Sequence, residues 1–192
     1  MGRKSNADQR RREIVQALYD CLAEQGHEKV TIKTIAARAG LPPGVIHYYF
    51  KSKDAIIADL ARMLVERYSQ GIQDHLAAAR TDQEEIAIAL DYIVDKLIYD
   101  DPLNRVFFNL IQMTYERKTL HGVMTATFRT YRQRMADVLA AAGMGAASRP
   151  LGASLVAMAE GFSLQRMVEP EVFTRKEVKD ALKRAIGPVS AS

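Results

Sequence analysis

Residues Pro43-Gly44-Val45-Ile46-His47-Tyr48-Tyr49-Phe50-Lys51-Ser52-Lys53 hold the densest set of chemically useful groups in this chain. On a helix, Ile46 and Phe50 lie four apart and turn inward together. Gly44, Val45, His47, Tyr48 and Tyr49 are left on the outer face. An imidazole, two phenols and nearby ammonium groups are hydrogen-bond donors suited to phosphate oxygens, and small residues let a backbone approach base edges. Catalytic chemistry has no comparable constellation. The four histidines, His27, His47, His75 and His121, show no metal-ligand spacing. No phosphate-binding glycine loop, dinucleotide fingerprint, nucleophile elbow or paired-cysteine motif is present. The acidic pair Glu84-Glu85 falls at a helix start, where the helix dipole accounts for it. The expectation is a protein that binds rather than catalyses, with no cofactor and no metal.

The donor-rich stretch needs a scaffold, and the residues before it supply one. Thr31 N-caps a short helix by accepting from a backbone N–H near Lys33 or Thr34. Ile32, Ile35, Ala36 and Ala39 share a face of that helix, and Gly40 ends it in the left-handed conformation. Pro43 suits the first turn of the next helix, where its missing N–H costs nothing. Ser52 caps the helix that Lys53 begins. Two short helices across a tight turn have the layout in which the second helix enters the major groove. An earlier helix over 7–25, with Ile14, Leu18, Cys21 and Leu22 on one stripe, completes a small core that is thin by itself and leans on the helix beginning at Lys53. Charge agrees with a nucleic-acid partner: residues 1–53 carry net +5 and the remainder net −1. Residues 1–12 read as a loose basic arm, in which Arg3, Lys4, Arg10, Arg11 and Arg12 are phosphate candidates.

The run IA-x-x-AG-L-x-x-G-V-I-H-Y-Y-F-K-SK resembles the DNA-binding domain of TetR-type transcriptional regulators, and the upstream RREIVQAL and EQG fit the same pattern. The resemblance covers Arg11 to Leu60. It implies that the start of the second motif helix reads bases, that an aromatic in that helix binds phosphate, and that Lys53 binds phosphate at a helix N-terminus. This sequence departs from the pattern at three places. Pro42 replaces a capping Ser or Thr, Val45 a polar residue, and His47 the phosphate-binding Tyr. The DNA-contacting set is therefore Thr31, Lys33, Pro43, Gly44, Val45, His47, Tyr48, Tyr49, Lys51 and Lys53. Pro43, Gly44 and Val45 are expected to meet bases through shape and apolar contact.

The rest of the 192 residues reads as helix, with no strand-like alternation and no internal repeat. Spans are predicted over 53–79, 81–99, 101–118, 119–142, 148–168 and 174–186, opened by signals such as Thr81-Asp-Gln-Glu84 and Thr174-Arg-Lys-Glu177. Gly71 is a candidate bend in the first of these. The fold class is all-α with about nine helices: a helix-turn-helix DNA-binding domain over 1–53 and a helical ligand-binding and dimerisation domain over 54–192. Phe107, Phe108, Met113, Tyr115, Met124, Phe128, Met158 and Phe162 are candidate linings of an adaptable apolar pocket, with Gln112 as its inward polar group. The resemblance implies a homodimer built by the last two long helices, for which Leu151, Leu155, Gly161, Val178, Leu182 and Ile186 supply candidate area. Phe162 stays open between pocket and interface.

No apolar run approaches the length of a membrane span, and the charged N-terminus lacks the apolar segment of a secretory signal. Cys21 is the only cysteine, so no intrachain disulfide forms. A cytoplasmic protein is expected. The resemblance implies as partners a palindromic duplex operator, a second copy and an unidentified small-molecule effector, and, as most often in that family, repression relieved by that effector. The alternative is a helical ligand-binding or interaction protein on the same scaffold that does not bind DNA.

Overall fold

The structure is a computed structural model and describes residues 2–187, with side chains from Asn6 onward except that of Glu116. Among these residues every regular element is helical: α1 (Gly2–Gln25), α2 (Ile32–Arg38), α3 (Pro43–Tyr49), α4 (Lys53–Leu76), α5 (Asp82–Ile93), α6 (Asp101–Glu116), α7 (Lys118–Ala141), α8 (Ser148–Val168) and α9 (Arg175–Ile186). A π-helical turn, Val94–Ile98, extends α5, and a 3₁₀ turn, Gly145–Ala147, precedes α8. The all-helical expectation holds. The loose basic arm does not, because α1 already runs from Gly2. Side-chain bonds from Gln9 and Arg10 to Glu13, three and four residues apart, support its early turns. The expectation for the Arg3 and Lys4 side chains lies outside the described residues. No described helix is long and apolar enough to cross a membrane.

The chain forms two compact units. One holds the residues up to Leu64 together with Arg105–Thr127, and the other holds Val65–Asn104 and the residues from Phe128 on. The sequence cut at Lys53 is thus not where compactness divides the chain. The first unit takes in the start of α4, and the divisions fall inside α4, α6 and α7. The reason is the thin core. Ile14, Leu18, Leu22, Ile35 and Ile46 are fully buried, and so are Ile56, Ile57, Leu60 and Leu64 of α4. Polar ties add to this apolar packing. Asn109 accepts from the backbone N–H of His27 (2.8 Å) and donates to the carbonyl of Leu22 (3.3 Å), closing the loop after α1. Arg117 and Thr119, at the α6–α7 junction, both bond the carboxylate of Asp54 in the first turn of α4.

In the second unit Leu90, Ile93, Ile98, Leu139, Leu155, Val178 and Leu182 form one apolar core. Two glycines set its approach distances. A side chain at Gly152 would strike the backbone nitrogen of Ala136 at 2.8 Å, and one at Gly71 would strike the hydroxyl of Tyr92. Gly71, expected as a bend, thus makes room for a ring whose hydroxyl donates to the Tyr68 carbonyl (3.3 Å). Both expected capping boxes are seen in part or whole: Thr81 accepts from Glu84 N–H, and Thr174 and Glu177 bond reciprocally. The widened turn after α5 ends on the carbonyl of Ile98, which accepts from Asn104 and from Arg166, both at 2.9 Å. Arg166 also lies over the Tyr99 ring (3.7 Å), which Arg175 approaches at 4.2 Å.

Candidate nucleic-acid interface

Local chemistry builds the motif almost bond by bond. Thr31 accepts from Thr34 N–H (3.1 Å), and Thr34 Oγ1 accepts from Thr31 N–H (2.8 Å), a reciprocal cap in which Thr takes the place of the usual Glu. At the other end of α2, Gly40 stands at φ +65, with Gly40 N–H bonded to Ala37 O (3.2 Å) and Leu41 N–H to Ala36 O (2.9 Å). This is the paired bonding of a Schellman stop, and only glycine adopts that φ without strain. Pro42 precedes α3 in extended backbone without a side-chain cap, and Pro43 fills the first helical position. Ile46 and Phe50 are buried and hold α3 in place.

That anchoring decides what α3 presents. Pro43, Gly44, His47 and Tyr48 are exposed, and Val45 and Tyr49 are half-buried. Tyr48 is 82% exposed, and its ring meets that of Tyr49 edge-on at 5.0 Å. Lys33, Lys51 and Thr31 are also exposed. Lys53 is not a free cation: its ammonium donates to the carbonyl of Val30, on the loop that leads into α2. Arg11, expected among the phosphate ligands, makes its contacts within the protein. It donates to Tyr49 O (2.6 Å), pairs with Asp59 (2.6 Å) and lies over the Phe50 ring (4.2 Å), so it clamps the end of α3 to α1 and α4. Arg10 pairs with Glu13 and Arg12 is exposed. At the start of α4 the Asp54 carboxyl is held below its ordinary range, first by the bond from Thr119 and then by Arg117.

Residues 14–60 match the family model described as bacterial regulatory proteins of the tetR family, and residues 81–188 match that of the tetracyclin repressor-like C-terminal domain. The chain belongs to the TetR family. It is a DNA-binding transcriptional regulator, and α2 and α3 are the helix-turn-helix of its TetR domain. The HTH-type transcriptional regulator in the dhlA 5′ region of Xanthobacter autotrophicus is 24% identical over 173 residues, covering 88% of this chain and 85% of that protein. A TetR transcription regulator from Haloarcula marismortui superposes with a TM-score of 0.80 at 18% identity, over 93% of this chain and 97% of that one. The regulator FadR from Bacillus subtilis, solved in complex with stearoyl-CoA, has a TM-score of 0.76 at 18% identity, over 93% and 97%.

The other site residues expected from the sequence are placed as follows. Phe107, Phe108, Gln112, Met113 and Met124 lie in the first unit, and Phe128, Met158 and Phe162 in the second. Met113 and Met124 are buried, and Phe107, Phe108, Gln112, Phe128 and Met158 are half-buried. Tyr115 lines nothing: it is 88% exposed on the last turn of α6. Phe162 packs edge-on against Phe173 (5.1 Å) beside the C-terminal core. The set assigned to dimerisation also needs correction. Leu155, Val178, Leu182 and Ile186 are spent inside the chain's own core, so their apolar area is not available to a second copy. Leu151 is half-buried against that core, and Gly161 is half-buried on α8. The large apolar side chains α8 leaves exposed are Leu164, Met167 and Val168. Sequence reading missed these three, although the 4-3-4 spacing of Ala157, Gly161, Leu164 and Val168 is legible.

Proposed function

We propose that this TetR-family regulator is a homodimeric repressor that holds a palindromic operator and is released from it by a small molecule bound among its C-terminal helices. One observation carries the reading. Helix α3 is fixed from behind by Ile46, Phe50 and Arg11, and turns Pro43, Gly44, His47 and Tyr48 outward as a rigid, uncommitted face. His47 and Tyr48 serve phosphates, while Pro43, Gly44 and Val45 meet base edges by shape and by apolar contact with thymine methyls. Thr31, Lys33, Lys51 and Lys53 add phosphate contacts from the flanks, and Tyr49 supports Tyr48.

Dimerisation through α8 follows from its uncovered stripe. Ala157 and Gly161 allow close approach, and Leu164, Met167 and Val168 supply apolar area. The complex of the Bacillus subtilis regulator with stearoyl-CoA supports a ligand-receiving role for this chain. A cytoplasmic site of action suits such a regulator.

Selection of bound duplexes from a random pool tests the reading. The native chain recovers a palindrome, and the His47→Ala, Tyr48→Ala double variant, altered only at exposed positions, does not. Binding that makes roughly 6–10 phosphate contacts weakens by about 10³–10⁵ between 50 and 200 mM salt. A chain that enriches no sequence at low salt is not an operator-binding repressor.

A further inference from the structure

One residue of α6 spends its side chain on the loop between α1 and α2. The amide of an asparagine has two donor hydrogens and two acceptor lone pairs. In half-buried Asn109 the oxygen accepts from the main-chain N–H of His27 (2.8 Å) and from Nδ1 of the His27 ring (3.1 Å). The nitrogen donates to the carbonyl of Leu22, in the last turn of α1 (3.3 Å), and to that of Arg105, on α6 itself (2.7 Å). All four positions are taken, so the amide has one orientation. Three of the four bonds reach residues 82 or 87 positions away. The bonding does not stop at His27. Its carbonyl accepts from the N–H of Val30 (3.3 Å), and the carbonyl of buried Val30 accepts from the Lys53 ammonium. An unbroken run of hydrogen bonds therefore leads from α6, through the α1–α2 loop, to the cation at the start of α4. Every group in it belongs to the first compact unit.

We propose that Asn109 is a positioning residue for DNA binding: by fixing His27, and through it the carbonyl of Val30, it sets where the Lys53 ammonium stands when a phosphate approaches. The inference rests on the reading that Lys53 contacts phosphate. A lysine is a point charge on a flexible four-carbon stem, so its place is decided by what holds its end. Here the holder is a loop carbonyl, and the loop is in turn held by Asn109. A stem ordered before DNA arrives loses little freedom on binding, whereas a stem released with its loop loses that freedom at the moment of contact and weakens the complex. Asn109 touches no DNA in this arrangement. It acts on affinity only through Lys53.

A double-mutant cycle on DNA affinity tests this. Lys53→Ala, Asn109→Ala and the double variant of the full chain are compared with the native chain at one temperature, below the melting transitions of all four. Phosphate contact does not depend on sequence, so a mixed-sequence duplex at low salt serves as well as a selected operator. Asn109→Ala is expected to weaken binding about tenfold in the native background and about twofold or less where Lys53 is already alanine. The slope of log affinity against log salt should fall by about one in Lys53→Ala, by about as much in Asn109→Ala, and by no more in the double variant. An asparagine that served only stability would lower the melting temperature in both backgrounds and leave the cycle additive and the salt slope unchanged. His27→Ala removes one of the four amide bonds and keeps the main-chain one, and it replaces Asn109→Ala in the cycle if that variant does not fold. It should weaken binding about threefold, and only while Lys53 is present. Additive losses overturn the proposal. So do native affinity and slope in folded Asn109→Ala, or in His27→Ala where that is the variant used. Native affinity and slope in Lys53→Ala remove the phosphate reading of Lys53 and this inference with it. A loss in Lys53→Ala with none from Asn109→Ala removes this inference alone.

Discussion

At the scale of single residues, the side chains that matter to this motif divide between those facing DNA and those that hold it still. Arg11 is of the second kind. Its loss leaves Asp59, largely buried, with only the exposed Arg62 as a partner, and frees the carbonyl of Tyr49. Arg11→Ala is therefore expected to cost about 1–3 kcal/mol in denaturant unfolding, the range for leaving a buried partner unsatisfied. A variant of unchanged stability that binds operator weakly would return Arg11 to the phosphate ligands. Asp54 gives a pH-dependent counterpart. Its carboxyl is depressed from 3.8 in the folded chain, so its stabilisation is complete above that value and is lost as pH falls through the lower folded value. Asp54→Asn should be less stable than the native chain at neutral pH and converge with it in acid, as measured by thermal melts across pH 2–6. Neither role could be read from sequence. Arg11 and Asp59 are 48 positions apart, and Asn109 and Leu22 are 87 apart. Long-range polar pairs leave no periodicity behind, whereas the caps at Thr31 and Gly40 are written within a few residues.

At the scale of elements, the same contrast explains which helices were legible and where their faces were misassigned. Helices α2 and α3 were readable to within a residue because their stops are local: a capping hydroxyl, a left-handed glycine and a proline. The apolar stripe of α9, Val178, Leu182 and Ile186, was equally readable, but a stripe does not say whether its cover is the same chain or another. Here the chain's own core covers it. The widened turn Val94–Ile98 was missed because the groups that satisfy its last carbonyl, Arg166 and Asn104, lie in other elements. Glycines test this packing. Gly→Ala in a helix ordinarily gains up to about 1 kcal/mol. Both Gly71→Ala and Gly152→Ala should lose stability instead, and Gly152→Ala the more, because its obstacle is the backbone of Ala136 rather than a movable tyrosine hydroxyl. Tyr92→Phe should recover part of the loss in the Gly71→Ala background and none in the Gly152→Ala background, a double-mutant comparison readable by melting temperature.

At the scale of the whole molecule, the proposed repressor must join three equilibria: association, operator binding and effector binding. Association is addressed by Val168→Lys, which places a charge on the exposed stripe of α8 and leaves the chain's own core untouched. Sedimentation should show a folded monomer, with operator binding reduced to that of a half-site. A Val168→Lys dimer of native affinity would move the interface elsewhere. The coupling between operator and effector obeys a stricter rule. If an effector lowers operator affinity by some factor, saturating operator must lower effector affinity by the same factor, because both measure one free energy, commonly about 1–3 kcal/mol or 5–150-fold. Titrating effector with and without operator, and operator with and without effector, gives that factor twice. Two equal values above unity establish that a molecule bound to this chain works by favouring a state that fits the operator poorly. Two values of unity for a ligand that binds saturably would make that ligand a passenger rather than a signal.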